Sequence, residues 1–156
     1  MKSKKKARDA ATEPEMPRAQ RMIYIALAII GLIGVAETVY LTALHLAGAH
    51  VVCLAASNCS RVLSSSYASV NGFSLAAVGA MGYFAVFSLS TLALFRFPRA
   101  AMFLGVTVGV MFLATLWLLY LQAFVLKAFC DYCLFSAALV FLLAGLLIAV
   151  PPKREA

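Results

Sequence analysis

The sequence predicts an all-α integral membrane protein: a four-helix bundle with an outward loop that carries a short surface helix. Three observations predict it. Of the 156 residues, 64% are hydrophobic and only 12% are charged, against roughly 45–50% apolar and about 25% charged in soluble domains. The apolar residues gather into four runs, about 22–47, 74–95, 100–126 and 129–150, each longer than the ~18 residues needed to cross a ~30 Å hydrocarbon layer as a helix. The basic residues cluster at alternate ends of those runs. Helix is the expected form, because lipid offers backbone groups no hydrogen-bond partners and each span must satisfy its own.

Residues 1–21 form a basic tail ahead of the first run. Lys2 to Arg21 resembles the charged start of a signal peptide, but the apolar run is about twice as long as a signal core, and no small-residue cleavage site ends it. It therefore reads as a retained span. Residues 48–72 form the long connection to the second span, Arg96-Phe97-Pro98-Arg99 is a tight turn between spans two and three, and residues 151–156 are a second short polar tail. Residues 22–150 thus make one membrane domain, with no internal repeat and no second domain.

The formal net charge of +7 raises the question of nucleic acid, and the placement of the charges answers it. Lys2, Lys4, Lys5, Lys6, Arg8, Arg18 and Arg21 precede span one, Arg96 and Arg99 sit in the tight turn, and Lys153 and Arg154 follow span four. All of these fall on one side, leaving Arg61 and Lys127 on the other. The positive-inside rule puts the crowded side, with both termini, in the cytoplasm. Topology accounts for the basic balance without nucleic acid, and a bacterial inner membrane is the expected setting.

All four cysteines then lie in or beside the two outward connections: Cys53 and Cys59 in the long one, Cys130 and Cys133 at the start of span four. An outward compartment such as a periplasm permits disulfides. In Cys130-Asp131-Tyr132-Cys133 the i, i+3 spacing at the start of a helix brings both sulfurs near one face. Donors and the positive dipole end at a helix N-terminus favour the thiolate, which performs exchange. A purely structural bridge here would close too short a loop to constrain the unfolded chain much. Zinc would need both cysteine pairs to converge at unusual spacing, so no metal is expected. For Cys53 and Cys59, separated by Leu54-Ala55-Ala56-Ser57-Asn58, a loop disulfide and an electron shuttle are both open; the second pair on the same side favours the shuttle. Asn58 or Ser60 is positioned to cap the surface helix, from about Arg61 to Val70, forming a lid.

Cys53, the run Cys59-Ser60-Arg61-Val62-Leu63-Ser64-Ser65, Gly72, the segment Gly79 to Tyr83, and Phe129-Cys130-Asp131-Tyr132-Cys133 together resemble the vitamin K epoxide reductase family, in its bacterial form. The resemblance runs from about Gly31 to Leu146. It implies a four-helix bundle around a quinone such as menaquinone, ubiquinone or phylloquinone, with Cys130 and Cys133 as the active pair. It further implies that Cys133 is the thiolate facing the quinone. Cys130 would receive electrons through a transient bridge to Cys59, and Cys53 would meet the external partner. That partner would be a thioredoxin-like thiol oxidase, here a separate protein, since no fused thioredoxin-like domain follows the fourth span. Animal members carry a quinone-contacting tyrosine where this sequence has Ala137, and a quinone-binding asparagine near Leu75. Quinone reduction is therefore expected rather than epoxide reduction.

Several polar residues lie within the apolar runs. Glu37 falls near the bilayer middle, where a charged carboxylate is costly, so proton delivery or pocket polarity stands against a neutral, hydrogen-bonded structural Glu. His45 and His50, near the outer boundary, are candidates for proton exchange, and Tyr40 and Gln122 for orienting a quinone carbonyl; helix-to-helix hydrogen bonding is the plainer role. Gly31, Gly34, Gly79 and Gly82 form two Gly-x-x-Gly steps suited to close helix packing, and Trp117 suits the core or the lipid face. The rivals to a thiol:quinone oxidoreductase are an epoxide reductase of the same family and a non-catalytic four-span protein held by two structural disulfides.

Overall fold

The computed structural model describes residues 16–47, 69–70, 73–97, 99–127 and 129–149. Helix α1 runs Arg18–Leu46, two short strands β1 (Ser69–Val70) and β2 (Phe73–Ser74) follow, then α2 (Leu75–Leu94), α3 (Ala100–Tyr120), a π-helical turn (Leu121–Leu126) and α4 (Asp131–Ala149). Four helices are long and apolar enough to cross a membrane, one in each of the apolar runs. Each packs on its neighbours, α1 on α2, α2 on α3, α3 on α4 and α4 back on α1, closing a bundle.

The outer surface is what a membrane solvent requires. Along α3 and the π turn, Phe103, Val106, Val110, Leu113, Trp117, Tyr120 and Phe124 are all exposed, at alternating steps of three and four, so one continuous helical face is apolar. In water such a face would be an aggregation surface; in lipid it costs nothing. Trp117 belongs to this face and stacks on Tyr120, which stacks on Phe124 in turn.

The ends of the helices have local causes. α2 closes with the amide of Phe97 donating to the Leu92 carbonyl and that of Arg96 donating to Ala93, the paired bonds of a Schellman motif. Arg96 takes the left-handed position that glycine usually fills, at φ 60°, and Arg99 repeats it at φ 76°. α3 does not stop at Tyr120. It widens into the π turn, ending where Lys127, left-handed at φ 47°, donates its amide to the Gln122 carbonyl.

Packing divides the bundle in two. Toward the Arg96 turn, Leu27, Val86, Leu104, Val108 and Leu143 fill the interior at 2% exposure or less, so this half is solid. Gly31 and Gly34 of α1 let α2 come close: a Cβ on Gly31 would meet the Phe87 amide nitrogen at 3.1 Å, and one on Gly34 would overlap the Tyr83 ring. The first Gly-x-x-Gly step is thus a packing device, and what it admits is a large aromatic ring.

The surface helix expected over 61–70 needs one correction. Ser69 and Val70 are extended and pair antiparallel with Ser74 and Phe73. The pair flanks Asn71-Gly72, the dipeptide that most strongly favours a two-residue hairpin, and this local preference outweighs helical continuation. The rest of that segment, with Asn58, Ser60 and Arg61, lies outside the described residues.

Candidate active site

The half of the bundle away from the Arg96 turn is hollow. A cavity of about 570 Å³ opens between the helices, lined mainly by apolar side chains, with Glu37, Gln122, Cys133 and Ser136 among the few polar or sulfur-bearing groups on its wall. Its size lies within the roughly 300–1,000 Å³ usual for small-molecule sites. On the α1 wall Glu37, Thr38 and Leu41 face inward; on α4 the facing stripe is Cys133, Ser136, Ala137 and Val140, at i, i+3, i+4 and i+7 of one helix face.

Tyr83 is the floor. Its ring lies over Gly34, and its hydroxyl reaches Ser136, 2.7 Å from Oγ and 3.0 Å from the carbonyl oxygen. The phenol therefore ties α2 to α4 one turn below Cys133, closing the cavity off from the solid half. The mouth is at the side: Val78 and Met81 of α2 and Val106 and Val110 of α3 line the cavity and are also 47–69% exposed on the outer surface. The cavity thus meets the face that lipid covers, through a gap between α2 and α3.

Cys130 and Cys133 are free thiols, the first fully buried and the second partly exposed toward the cavity. Cys130 immediately precedes α4, and its carbonyl accepts the amide of Leu134, so it occupies the N-cap. Its sulfur stands where the side-chain oxygen of a capping serine would stand, accepting hydrogen bonds from the amides of Tyr132 and Cys133. The Cys133 thiol beside it, together with these amides, outweighs burial and the Asp131 charge and brings the Cys130 thiol down to about 7. The fold therefore acidifies the covered sulfur and turns the other toward the cavity. A shared S–H···S contact lets the pair hold one negative charge between them.

Gln122 reaches this pair because of the π turn. A wider turn, rare and frequently found at functional sites, buries both Leu121 and Gln122. The Gln122 side chain interacts with the Cys133 sulfur, while its Oε1 is buried without a hydrogen-bond partner. Both carboxyl oxygens of Glu37 are likewise buried and unpartnered among the described residues.

Of the residues singled out from the sequence, Cys133, Glu37, Gln122 and Ala137 meet on one cavity, as does Leu75. Tyr40 is not among the cavity-lining residues described; it is 53% exposed and its ring lies 6.4 Å from that of Tyr132. The helix turns about 100° per residue, so with Glu37, Thr38 and Leu41 facing inward, position 40 falls off that face. The His45 side chain, His50, Cys53 and Cys59 lie outside the described residues. Sequence reasoning gave no role to Tyr83 or Ser136. The available signal was a tyrosine in an apolar span next to a glycine step, and a serine one turn after the second cysteine.

A lateral apolar cavity with a dithiol in its wall, set in a bundle of four membrane-length helices, defines an integral membrane thiol protein. The chain belongs to the vitamin K epoxide reductase family, whose model matches residues 25–148. No curated protein matches it. The chemistry of the family is membrane-bound, quinone-linked disulfide redox, and the cavity fits such a ring: mainly apolar walls, a mouth toward lipid, and a few polar residues, Glu37, Gln122 and the Tyr83–Ser136 pair among them. No group of three His, Cys, Asp or Glu side chains able to hold a metal occurs among the described residues.

Proposed function

We propose that this protein is a thiol:quinone oxidoreductase that withdraws electrons from a separate thioredoxin-like thiol oxidase and delivers them to a membrane quinone, supporting disulfide formation outside the cytoplasm. Electrons enter at Cys53, pass to Cys59, cross to Cys130 by thiol–disulfide exchange, and leave from Cys133. Each exchange is a thiolate attack on a disulfide sulfur. Both termini and the Arg96 turn lie in the cytoplasm, as the distribution of lysine and arginine indicates.

The observation that carries this reading is the position of Cys133, in the wall of a 570 Å³ apolar cavity whose side mouth faces lipid. A lipophilic acceptor enters from the bilayer without crossing water. Oxidation of the pair releases two electrons, the number that a quinone takes up. The direction follows from potentials, because a quinone pool is more oxidising than a protein dithiol. The small side chain of Ala137 in the cavity wall gives no hydroxyl to hold or protonate an epoxide, which favours quinone over epoxide as the substrate.

The test is quinone absorbance after pre-reduced protein is added in detergent, with excess dithiol, comparing wild type with Cys133→Ala. Sustained loss of quinone in wild type, abolished in the variant, is expected. If neither protein outpaces the dithiol alone with several quinones, the four cysteines are structural staples and the enzymatic reading fails.

A further inference from the structure

Dithiol oxidation by a quinone has a proton requirement that the two cysteines do not meet when Cys130 is a thiolate. Two electrons go to the ring, and both ring oxygens must become hydroxyls. Once the Cys130 thiol, brought down to about 7, is ionised, the reduced pair carries two electrons but only one proton. One proton must come from another group inside an apolar cavity that excludes bulk water.

We propose that Glu37, a residue of the α1 wall of the cavity that Cys133 also lines, supplies that proton: its carboxyl is a catalytic acid that protonates one oxygen of the quinone and is recharged from the outer aqueous side. The proposal rests on the thiol:quinone reading above. In the balanced step the Cys130–Cys133 S–S bond forms and the Cys133 S–H bond breaks. Two electrons pass to the quinone, one ring oxygen receives the Cys133 proton and the other the Glu37 proton. Hydroquinone leaves, and Glu37 remains as the carboxylate. The single negative charge that began on Cys130 ends on Glu37, so the step creates no new charge in the cavity.

Three observations support the assignment. Glu37 lies nine residues before the end of α1, roughly 14 Å along the helix, a depth at which an ionisable residue without a function is disfavoured. A structural carboxyl at such depth is tied to neighbours, yet both Glu37 oxygens are buried with no partner among the described residues. Glu37 also lines the same cavity as Cys133. Finally, Gln122, only 4% exposed, lines this cavity and carries a second buried, unpartnered acceptor, Oε1. An oxygen that only accepts is useless to a quinone carbonyl but suits the hydroxyl that protonation creates. The titratable groups that interact with Glu37 include Cys130 and Cys133 from the α4 end and Tyr83 from α2, and Tyr132 of α4 also lines the cavity. The cavity wall contributed by α3 and the π turn adds no titratable side chain.

The experiment is single-turnover reduction of a short-tail naphthoquinone by pre-reduced full-length protein in detergent, followed by stopped-flow absorbance across pH. Wild type is expected to show a bell: the rate rises as Cys130 ionises and falls as Glu37 loses its proton. Glu37→Gln should be on the order of 100-fold slower, the scale of a lost general acid, and should keep the rising limb while losing the falling one. In Glu37→Ala, added formate or acetate should restore part of the rate. A Glu37→Gln rate within about threefold of wild type with an unchanged falling limb overturns the proposal. If wild type itself reduces no quinone, the thiol:quinone reading fails and takes this one with it; the two failures are therefore distinct. Should the variants not fold, infrared difference spectra of wild type decide the matter. The carbonyl band of a protonated carboxylic acid must disappear during turnover and return afterward, and must survive in Asp131→Asn; a silent carboxyl region overturns the assignment.

Discussion

The two halves of this bundle are built from the same kind of residue and do opposite things. Toward the Arg96 turn, leucines and valines from all four helices fill the interior; toward the cysteines, helices of equal apolarity stand around a cavity of about 570 Å³. The boundary is one ring, Tyr83, seated over Gly34 and tied to Ser136. Hydrophobicity cannot explain the difference, since lipid tails are as apolar as the core and give no drive to collapse. Side-chain shape and backbone proximity explain it. Where Gly31 and Gly34 let α1 and α2 touch, the interior closes; where α2 and α3 meet through flanking valines and methionines, a gap persists. The two sulfurs divide along the same line, with Cys130 covered and Cys133 on the cavity.

The change that should break this contrast most severely is Gly34→Val. Its side chain would occupy the volume of the Tyr83 ring, so the floor must tilt and the α1–α2 seam must open. Overpacking of this kind costs on the order of 1–3 kcal/mol or more. The expected result is a marked fall in melting temperature in detergent together with loss of quinone reduction.

A second change sharpens the division between the sulfurs. The Cys130 thiol falls from 9.0 to about 7 in the folded protein, so in this window the unfolded chain binds more protons than the folded one. Stability of the reduced protein should therefore rise from pH 7 to 9, by an amount on the order of 2 kcal/mol. It should be lost as pH falls through 7. Thermal unfolding of reduced wild type and Cys130→Ala across this range checks the sign; the variant should lose the slope.

The open half can be closed from outside. Val110→Trp places a large ring at the lateral mouth, where the native side chain is 62% exposed. KM for a long-tailed quinone should rise about tenfold, equivalent to ~1.4 kcal/mol, with little change in melting temperature; a short-tailed analogue should be less affected. Steady-state kinetics with the two quinones separate a blocked mouth from a damaged site. The smallest effect belongs to Gly109→Ala on α3. A Cβ there meets nothing within 4 Å, so the variant should fold and turn over like wild type, within about 0.5 kcal/mol by thermal unfolding. Comparable damage from Gly109→Ala and Gly34→Val would refute the claim that close approach, rather than glycine content, closes one half.

Much of this was legible in the sequence for identifiable reasons. The four helices followed from run length, because the bilayer imposes one length on every span. The dithiol followed from its spacing at a helix start. Glu37 and Gln122 stood out as polar atoms in apolar runs. The hairpin at Ser69–Ser74 was missed although Asn71-Gly72 signalled it, because the surrounding residues also suited a surface helix. Tyr40 was grouped with the cavity by its depth, and depth along a helix does not determine azimuth.

The sequence by itself determined that the chain has four helices long and apolar enough to cross a membrane, and that a Cys-x-x-Cys pair stands at the start of the fourth. These rest on composition, length and local spacing, properties that a chain carries before it folds. Only the tertiary structure decided that one half is solid and the other hollow, that Tyr83 forms the floor, that a π turn brings Gln122 to Cys133, and that the mouth lies between α2 and α3. Each of those depends on how helices distant in sequence rotate and approach one another, and the apolar residues on every side of each helix leave that rotation undetermined until the glycines and the tyrosine meet.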